Sequence, residues 1–156
     1  MRGGLVLLTI AAAALFLGLR IALARHLPLF NDEAMYLYLV QEILEKGATP
    51  LISFTLGKPP LFTTWLWLFG RLNPDHLLLA GRAAAITAAA IAGLLAWRLG
   101  RKLAGDAGGV LALFLFSSNP YLVLHDSLAL YESLSSVLEL AMLSFLLGSG
   151  DPSRTR

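Results

Sequence analysis

Two adjacent carboxylates, Asp32 and Glu33, directly follow a long apolar segment near the start of the chain. Carboxylates are among the side chains that proteins use for proton transfer, so an acidic pair beside an apolar segment is a candidate for chemistry. The next residues, to about Lys46, place apolar side chains at helical spacing, which predicts an amphipathic helix that ends at Gly47. The competing interpretation is structural, because acids at the start of a helix complement its positive end.

Polar residues and prolines surround this predicted helix. Asn31 or Asp32 is predicted to cap its start, and the run from Thr49 to Ser53 is predicted to be extended. Lys58 then opens the sequence Lys-Pro-Pro-Leu. This lysine is a second candidate functional residue, and a solvated turn is its alternative.

Further ionisable residues lie at or within the apolar segments of the second half of the chain. His125 and Asp126 stand at a segment boundary. Glu132 and Glu139 are seven residues apart, so they share one face of a helix. A charge inside a membrane span costs about 2.5–3.5 kcal/mol on insertion scales, which makes each one a functional candidate. The alternatives are a loop carboxylate for Asp126 and, for Glu139, a buried packing or ion-pair residue with an arginine such as Arg82 as its partner. A lone histidine is weak support for a metal site.

The composition indicates an integral membrane protein. Of 156 residues, 57% are hydrophobic and only 14% are charged, against about 25% charged in soluble domains. The formal charge of +2 is too small and too scattered to suggest a nucleic-acid partner. The absence of cysteine excludes disulfides, thiolate metal sites and a cysteine nucleophile. The common motifs of soluble nucleotide-binding and hydrolytic enzymes are absent from the sequence as well.

The apolar segments predict one all-α membrane module, residues 1–156, with about four transmembrane helices. The predicted spans cover residues 5–24, 81–97, 108–124 and 128–147, with a long loop over residues 25–80 and a polar tail over residues 148–156. About 20 residues cross a hydrocarbon core roughly 30 Å thick. A cleaved signal peptide is the alternative for the first span. The tryptophan-rich run from Leu61 to Leu72 is short for a span and is predicted to be an interfacial or re-entrant helix.

Lysine and arginine residues near the span ends predict the orientation of a multi-pass protein in the cell membrane. The loop after the second span and the C-terminal tail carry basic residues on one side: Arg98, Arg101, Lys102, Arg154 and Arg156. This pattern places both termini in the cytoplasm and the acidic residues at the outer face. Arg20, near one end of the first span, is interpreted as a side chain that snorkels to the membrane surface.

Taken in order, these elements resemble the N-terminal part of the GT-C type membrane glycosyltransferases. The resemblance is closest to the superfamily of protein O-mannosyltransferases and aminoarabinose transferases. That family has one span and then an outer loop that opens with an Asp-Glu-Ala-hydrophobic-Tyr motif, which is residues 32–36 here. An amphipathic helix ending in glycine, a Lys-Pro-Pro-Leu element and an aromatic helix follow in both. Arg82 matches an arginine that opens the second span, and Pro120 and Glu132 match a proline and a later acid.

The resemblance implies transfer of a sugar from a polyprenyl-phosphate carrier to an acceptor hydroxyl on a protein, lipid or glycan at the outer face. Asp32 matches the catalytic base, and Glu33 is implied to orient the acceptor or to hold Asp32 ionised. The implied substrate-binding residues are Lys58, which would contact the donor phosphate, Tyr36, Asp126 and Glu132. Asp32, Asp126 and Glu132 are also the candidate ligands for a divalent cation, Mg²⁺ or Mn²⁺. Because the superfamily differs in metal dependence, no cofactor is assigned.

Three features differ from the family pattern. Family members have several hundred residues and more spans, the later acid is often an aspartate, and an arginine that commonly precedes it is missing here. The chain is therefore expected to correspond to the N-terminal portion of a larger GT-C fold, as a fragment, an inactive relative, or a half-enzyme that self-associates or needs a partner subunit. Two other classes stay open. One is a non-catalytic four-span subunit that binds lipid carrier or scaffolds a complex, and the other is an ion-coupled transporter subunit that uses Glu139.

Overall fold

The computed structural model describes residues 2–149, and this part of the chain is helical without any strand. Its α-helices are α1 (Arg2–His26), α2 (Asn31–Lys46), α3 (Pro60–Gly70), α4 (Leu77–Ser118), α5 (Pro120–Asp126) and α6 (Glu132–Ser149). Short 3₁₀ helices over Pro50–Leu56 and Pro74–His76 lead into α3 and α4. The first two residues of the predicted tail, 148 and 149, belong to α6, and residues 150–156 with Arg154 and Arg156 lie outside the described residues.

Two described segments are long and apolar enough to cross a membrane. They are Gly3–His26, which is nearly all of α1, and Pro74–Ser118, which contains α4. Most of the first segment is exposed and half of the apolar window in the second is buried. By length and composition, both exceed the roughly 20 residues that a bilayer requires. The structure therefore agrees with the all-helical, membrane-type composition of the sequence.

α4 is a helical hairpin and not one straight rod. Its backbone leaves helical geometry at Ala104 and at Gly105, and Gly105 has a φ of +67°, which favours glycine. Gly100 and Gly108 then face each other so closely that a Cβ atom on Gly100 would lie 2.5 Å from the carbonyl oxygen of Gly108. Small residues at such positions let two helix backbones approach closely. The turn between the arms is therefore tight and depends on glycine.

The hairpin consists of a first arm, residues 77–103, and a second arm, residues 106–118. Gly93 on the first arm lies beside Phe116 on the second, which shows that the arms run antiparallel. The predicted second span lies within the first arm. The predicted third span, residues 108–124, is divided between the second arm and α5.

Asn119 is the reason for that division. Its backbone is extended, so the second arm ends at Ser118. The Asn119 side-chain oxygen then accepts hydrogen bonds from the peptide N–H groups of Tyr121 at 3.0 Å and Leu122 at 3.3 Å, which caps α5. Pro120 occupies the first turn of α5, where its missing N–H costs nothing. The last predicted span is also shorter as a helix, because α6 begins at Glu132 and not at residue 128.

The region around α2 follows its sequence pattern in part. Gly47 ends the helix with a φ of +68°, as predicted. The predicted cap at Asn31 or Asp32 is wrong, because the N-cap is Phe30 and its N–H donates to Glu33 Oε2 at 3.3 Å. The extended conformation predicted for residues 49–53 is wrong as well. Pro50 starts a 3₁₀ helix there, since its fixed φ suits a first helical turn.

Two apolar clusters hold the helices together. The first joins α2 and α3 to the first arm of α4 and to the segment before α6; its buried members are Tyr36, Val40, Phe62, Leu66, Ala84 and Ala129. The second joins α1 to both arms of α4 through Phe16, Ala89, Ala92 and Phe116. Alanines in the first arm permit this close approach of helices. Trp65 of α3 also donates from Nε1 to the carbonyl oxygen of Ala84 at 2.9 Å, so α3 is fixed against α4.

Candidate functional site

Glu33 is fully buried and forms a two-point ion pair with Arg82. Arg82 Nε lies 2.9 Å from Oε1 of the carboxylate, and Nη2 lies 2.8 Å from Oε2. The peptide N–H of Ala129 donates to Oε1 at 2.8 Å, and that of Phe30 donates to Oε2 at 3.3 Å. Paired bonds of this kind are charge-assisted and geometrically specific. The Glu33 carboxylate is therefore fixed in position and shielded from solvent.

Arg82 extends this contact to the end of α1. Its Nη1 donates to the carbonyl oxygens of Ala24 at 2.7 Å and Leu27 at 2.9 Å, and its Nη2 donates to Pro28 at 3.0 Å. With the two bonds to Glu33, the five N–H donors of the guanidinium are all used. One buried side chain thus connects the end of α1, the start of α2 and the start of α4.

Glu139 does not take part in this network. Its side chain is exposed on α6. The predicted ion pair between Glu139 and Arg82 is therefore wrong, and Glu33 is the acid that pairs with Arg82. The sequence gives no local sign of the true pairing, because Glu33 and Arg82 lie 49 residues apart.

A second buried ion pair joins Arg20 to Asp126. Arg20 is fully buried, with Nε at 3.1 Å and Nη2 at 2.8 Å from Asp126 Oδ2. Its guanidinium carbon lies 3.9 Å from the ring centroid of Phe16 and 5.7 Å from that of Phe116. It also donates to the carbonyl oxygens of Phe116 and Ser117, both at 3.3 Å. The predicted snorkelling of Arg20 is wrong, because its partner lies inside the protein.

Asp126 is consequently separated from the surface where it was expected. Its Oδ2 is bound to Arg20, and its Oδ1 is buried with no hydrogen-bond partner within the described chain. Burial raises the pKa of the Asp126 carboxyl, and the charge of Arg20 opposes this rise. The Asp126 carboxylate is therefore out of contact with solvent in this structure, and its ion pair joins α1 to α5.

Asp32 has the opposite surroundings from its neighbour Glu33. Its side chain is 51% exposed and forms one ion pair, in which Lys58 Nζ lies 3.0 Å from Oδ1. The same ammonium group lies 5.2 Å from the ring centroid of Tyr36. Tyr36 packs edge-on against Phe62, with ring centroids 4.9 Å apart. Asp32 is thus a solvent-accessible acid, and its partner Lys58 lies over the packed ring of Tyr36.

Tyr36 and Glu132 carry polar atoms that the described chain leaves unpaired. The Tyr36 hydroxyl and Glu132 Oε2 are both buried without a hydrogen-bond partner in residues 2–149. Burial raises the pKa of the Tyr36 phenol, and the charge of Glu132 contributes to the rise. We call Asp32, Tyr36, Lys58 and Glu132 the Asp32 site. Direct contacts join three of the six residues expected from the sequence, because Lys58 lies beside both Asp32 and Tyr36, and Glu132 is included for its charge effect on the Tyr36 pKa.

The described residues contain no cluster of three His, Asp or Glu side chains that could hold a metal ion. The three candidate ligands Asp32, Asp126 and Glu132 are not brought together, because Asp126 is bound to Arg20. His125 stacks on Tyr121, with ring centroids 4.0 Å apart, and its Nδ1 lies 2.8 Å from the carbonyl oxygen of Tyr121. This histidine is therefore placed by a local contact and not by a metal site.

Comparison with protein-family models gives no match, and comparisons with curated proteins and with solved structures give no significant match. The resemblance to GT-C glycosyltransferases stays a prediction, and the geometry of the Asp32 site is the ground for any functional proposal.

Proposed function

We propose that this chain belongs to a membrane glycosyltransferase of the GT-C type, which transfers a sugar from a polyprenyl-phosphate carrier to an acceptor hydroxyl at the outer face of the membrane. The observation that carries the proposal is the contrast between the two adjacent acids. Glu33 is buried and bound by Arg82, whereas Asp32 is half-exposed at the surface and paired with Lys58. In such a motif the fixed acid, Glu33, can hold the helix start in place, and the accessible acid, Asp32, can act as a catalytic base.

Asp32 is the proposed general base. It accepts the proton of the acceptor hydroxyl while the hydroxyl oxygen forms a bond to the anomeric carbon of the sugar. The bond from that carbon to the carrier phosphate breaks, and the phosphate leaves with the electron pair. Lys58, at 3.0 Å from Asp32, supplies a positive charge beside the reacting groups and is the proposed contact for the donor phosphate.

Tyr36 and Glu132 are the proposed binding residues for sugar or acceptor hydroxyl groups. Their unpaired polar atoms are buried, and a buried polar atom without a partner costs about 1–3 kcal/mol. A ligand hydroxyl that bonds to these atoms recovers this free energy. In this proposal Glu33 and Arg82 position Asp32 and do not touch the substrate.

The proposed topology has four crossings and both termini in the cytoplasm of the cell. The first arm of α4 has 27 residues and is about 40 Å long at 1.5 Å per residue, which exceeds the bilayer core. Lys102, at the turn of α4, donates to the carbonyl oxygen of Leu147 near the end of α6. This contact supports the proposed topology, because four crossings require the end of α6 to lie beside the basic turn of α4. In that topology the Asp32 site faces outside.

The first test is a transfer assay with radiolabelled polyprenyl-phosphate sugars, using membranes that contain the chain. We expect Asp32→Asn to lower transfer by at least about 100-fold, which is typical of losing a general base. Asp75→Asn is the matched control, because Asp75 is an exposed acid in the 3₁₀ helix before α4. Near-normal transfer by Asp32→Asn, with the protein inserted, contradicts the proposed role.

A second candidate function is a non-catalytic subunit that binds lipid carrier or scaffolds a complex. The observation that favours it is the surface of α6, where Glu139 is exposed together with Leu138, Met142 and Phe145. A carboxylate that faces lipid is costly, so this face requires protein cover. A chain that is silent with every donor but is purified in a stable complex supports this alternative.

A further inference from the structure

A groove between α1 and the first arm of α4 lies apart from the Asp32 site. The cavity at its centre has a volume of about 320 Å³ and an apolar wall. Its lining includes Thr9, Ala13 and Leu17 from α1 and Ala90, Leu94 and Trp97 from the first arm. A second cavity of about 230 Å³ continues past Thr9 and Trp97 as far as Arg101. The groove therefore leads from an apolar interior to a basic end.

Basic side chains gather where the groove meets the turn of α4. Arg98, Arg101 and Lys102 line a polar cavity there that shares Trp97 and Arg101 with the groove, and all three are exposed. The Arg101 guanidinium carbon lies 4.7 Å from the ring centroid of Trp97. A tryptophan that has apolar side chains on one side and a solvent-exposed arginine on the other is typical of the membrane–water interface.

Asp106 is the acid that lines this basic end. It lies 2.8 Å from Arg101, and both side chains are about half exposed. An exposed ion pair contributes at most about 1 kcal/mol, so an anionic ligand can replace Asp106 as the partner of Arg101. Three cations against this single acid leave a net positive charge around the cavity.

We propose that the groove binds an anionic phospholipid of the bilayer, with an acyl chain between α1 and α4 and the headgroup phosphate on Arg98 and Arg101. The apolar wall suits an acyl chain, and an arginine side chain can donate two parallel hydrogen bonds to two oxygens of one phosphate. Basic pockets between transmembrane helices on the cytoplasmic side are known to favour anionic headgroups, and this end is cytoplasmic in the proposed topology. The inference requires membrane insertion but not sugar transfer.

The headgroup part is tested by lipid retention in native mass spectrometry. The full chain is reconstituted with equal amounts of phosphatidylglycerol and phosphatidylcholine that have the same acyl chains. We expect preferential retention of phosphatidylglycerol, and Arg101→Gln should lower this preference about fivefold, since a basic residue near a membrane surface contributes about 1 kcal/mol. Arg71→Gln is the matched control, because Arg71 is also exposed and stacks on a tryptophan, Trp67, at 4.9 Å.

The acyl-chain part is tested by filling the groove. Ala13 lines the central cavity, whereas the next residue, Ala14, is exposed and does not line it. We expect Ala13→Phe to lower retention of both lipids, and Ala14→Phe to leave retention unchanged. The two variants add the same side chain to neighbouring exposed positions of the same helix, and size-exclusion chromatography of both checks that they remain folded.

Three results would overturn the proposal. The first is equal retention of the two lipids by the unaltered chain. The second is an equal effect of Arg101→Gln and Arg71→Gln, which would indicate a general charge effect. The third is an equal effect of Ala13→Phe and Ala14→Phe, which would place the acyl chain outside the groove.

Discussion

Asp32 and Glu33 are neighbours in the chain, yet the fold gives their carboxylates different surroundings. Glu33 accepts four hydrogen bonds inside the protein, two of them from Arg82. Asp32 meets one ammonium group and solvent. Because successive residues of a helix point in directions about 100° apart, one acid turns toward the packed helices when the other turns away. The same dipeptide thus supplies both a structural and an accessible acid.

At this scale we expect Glu33→Gln to destabilise the protein by about 3–5 kcal/mol, because it leaves the buried Arg82 without its counter-charge. The free energy of unfolding can be measured by SDS titration in mixed micelles. Glu42→Gln is the control, since Glu42 pairs within α2 with the exposed Lys46 at 2.8 Å, and loss of this pair should have little effect. Equal stability of the two variants contradicts a structural role for the Glu33–Arg82 pair.

Asp126→Asn should also destabilise the protein by about 3–5 kcal/mol, because the buried guanidinium of Arg20 loses its only ionised partner within the described chain. In contrast to Asp32→Asn, the folded fraction should keep normal transfer activity in the assay described above. Activity is therefore measured per molecule of folded protein, quantified by size-exclusion chromatography. Loss of transfer activity in the folded fraction would contradict a purely structural role and indicate that Asp126 takes part in the reaction.

At the scale of elements, the local pattern predicts where helices end and misses what interrupts them. Gly47 ends α2 because a left-handed residue there favours glycine, and the sequence shows this directly. Asn119 interrupts the third predicted span. A hydropathy window misses this interruption, because it averages over one polar residue and the proline after it. Pro50 likewise starts a 3₁₀ helix in residues 49–53, which the sequence predicts to be extended.

The hairpin of α4 gives a prediction of its own. A Cβ atom on Gly100 would meet the carbonyl oxygen of Gly108 at 2.5 Å, so we expect Gly100→Ala to destabilise the protein by forcing the arms apart. Gly18→Ala is the control, because no atom of a neighbouring residue lies within 4 Å of its Cβ position. In a helix, that change should stabilise by roughly 0.5–1 kcal/mol. Thermal unfolding in detergent compares the two, and a stable Gly100→Ala variant would contradict the close packing of the arms.

At the scale of the whole molecule, the contacts that build the site connect distant parts of the chain. Composition and periodicity predict helices and a membrane setting, because both are properties of short segments. The two buried ion pairs join residues 49 and 106 positions apart, and no local signal indicates which acid meets which arginine. The pair of Asp32 and Lys58 joins residues only 26 positions apart, whereas the burial of Glu33 and Asp126 depends on how the helices pack.

The proposed topology gives a prediction for the whole chain, which contains no native cysteine. Leu72 is 81% exposed before α4, and Leu103 is 67% exposed at its turn. We expect Leu72→Cys to react with a membrane-impermeant maleimide in intact cells, and Leu103→Cys to react only after lysis. The unaltered chain supplies a zero background. Labelling of both positions from outside would contradict an α4 hairpin that crosses the membrane.

The distances along the chain between Glu33 and its partners also have a consequence for synthesis. Arg82 and Ala129 follow Glu33 by 49 and 96 residues. At 5–20 residues per second, Ala129 is made roughly 5–20 s after Glu33. Throughout that interval Glu33 lacks its full set of hydrogen-bond donors, and the buried network beside Asp32 is incomplete. If the chain acts as the proposed transferase, its first loop becomes competent only after the segment leading into α6 has been made, so an incomplete chain does not react with sugar donor.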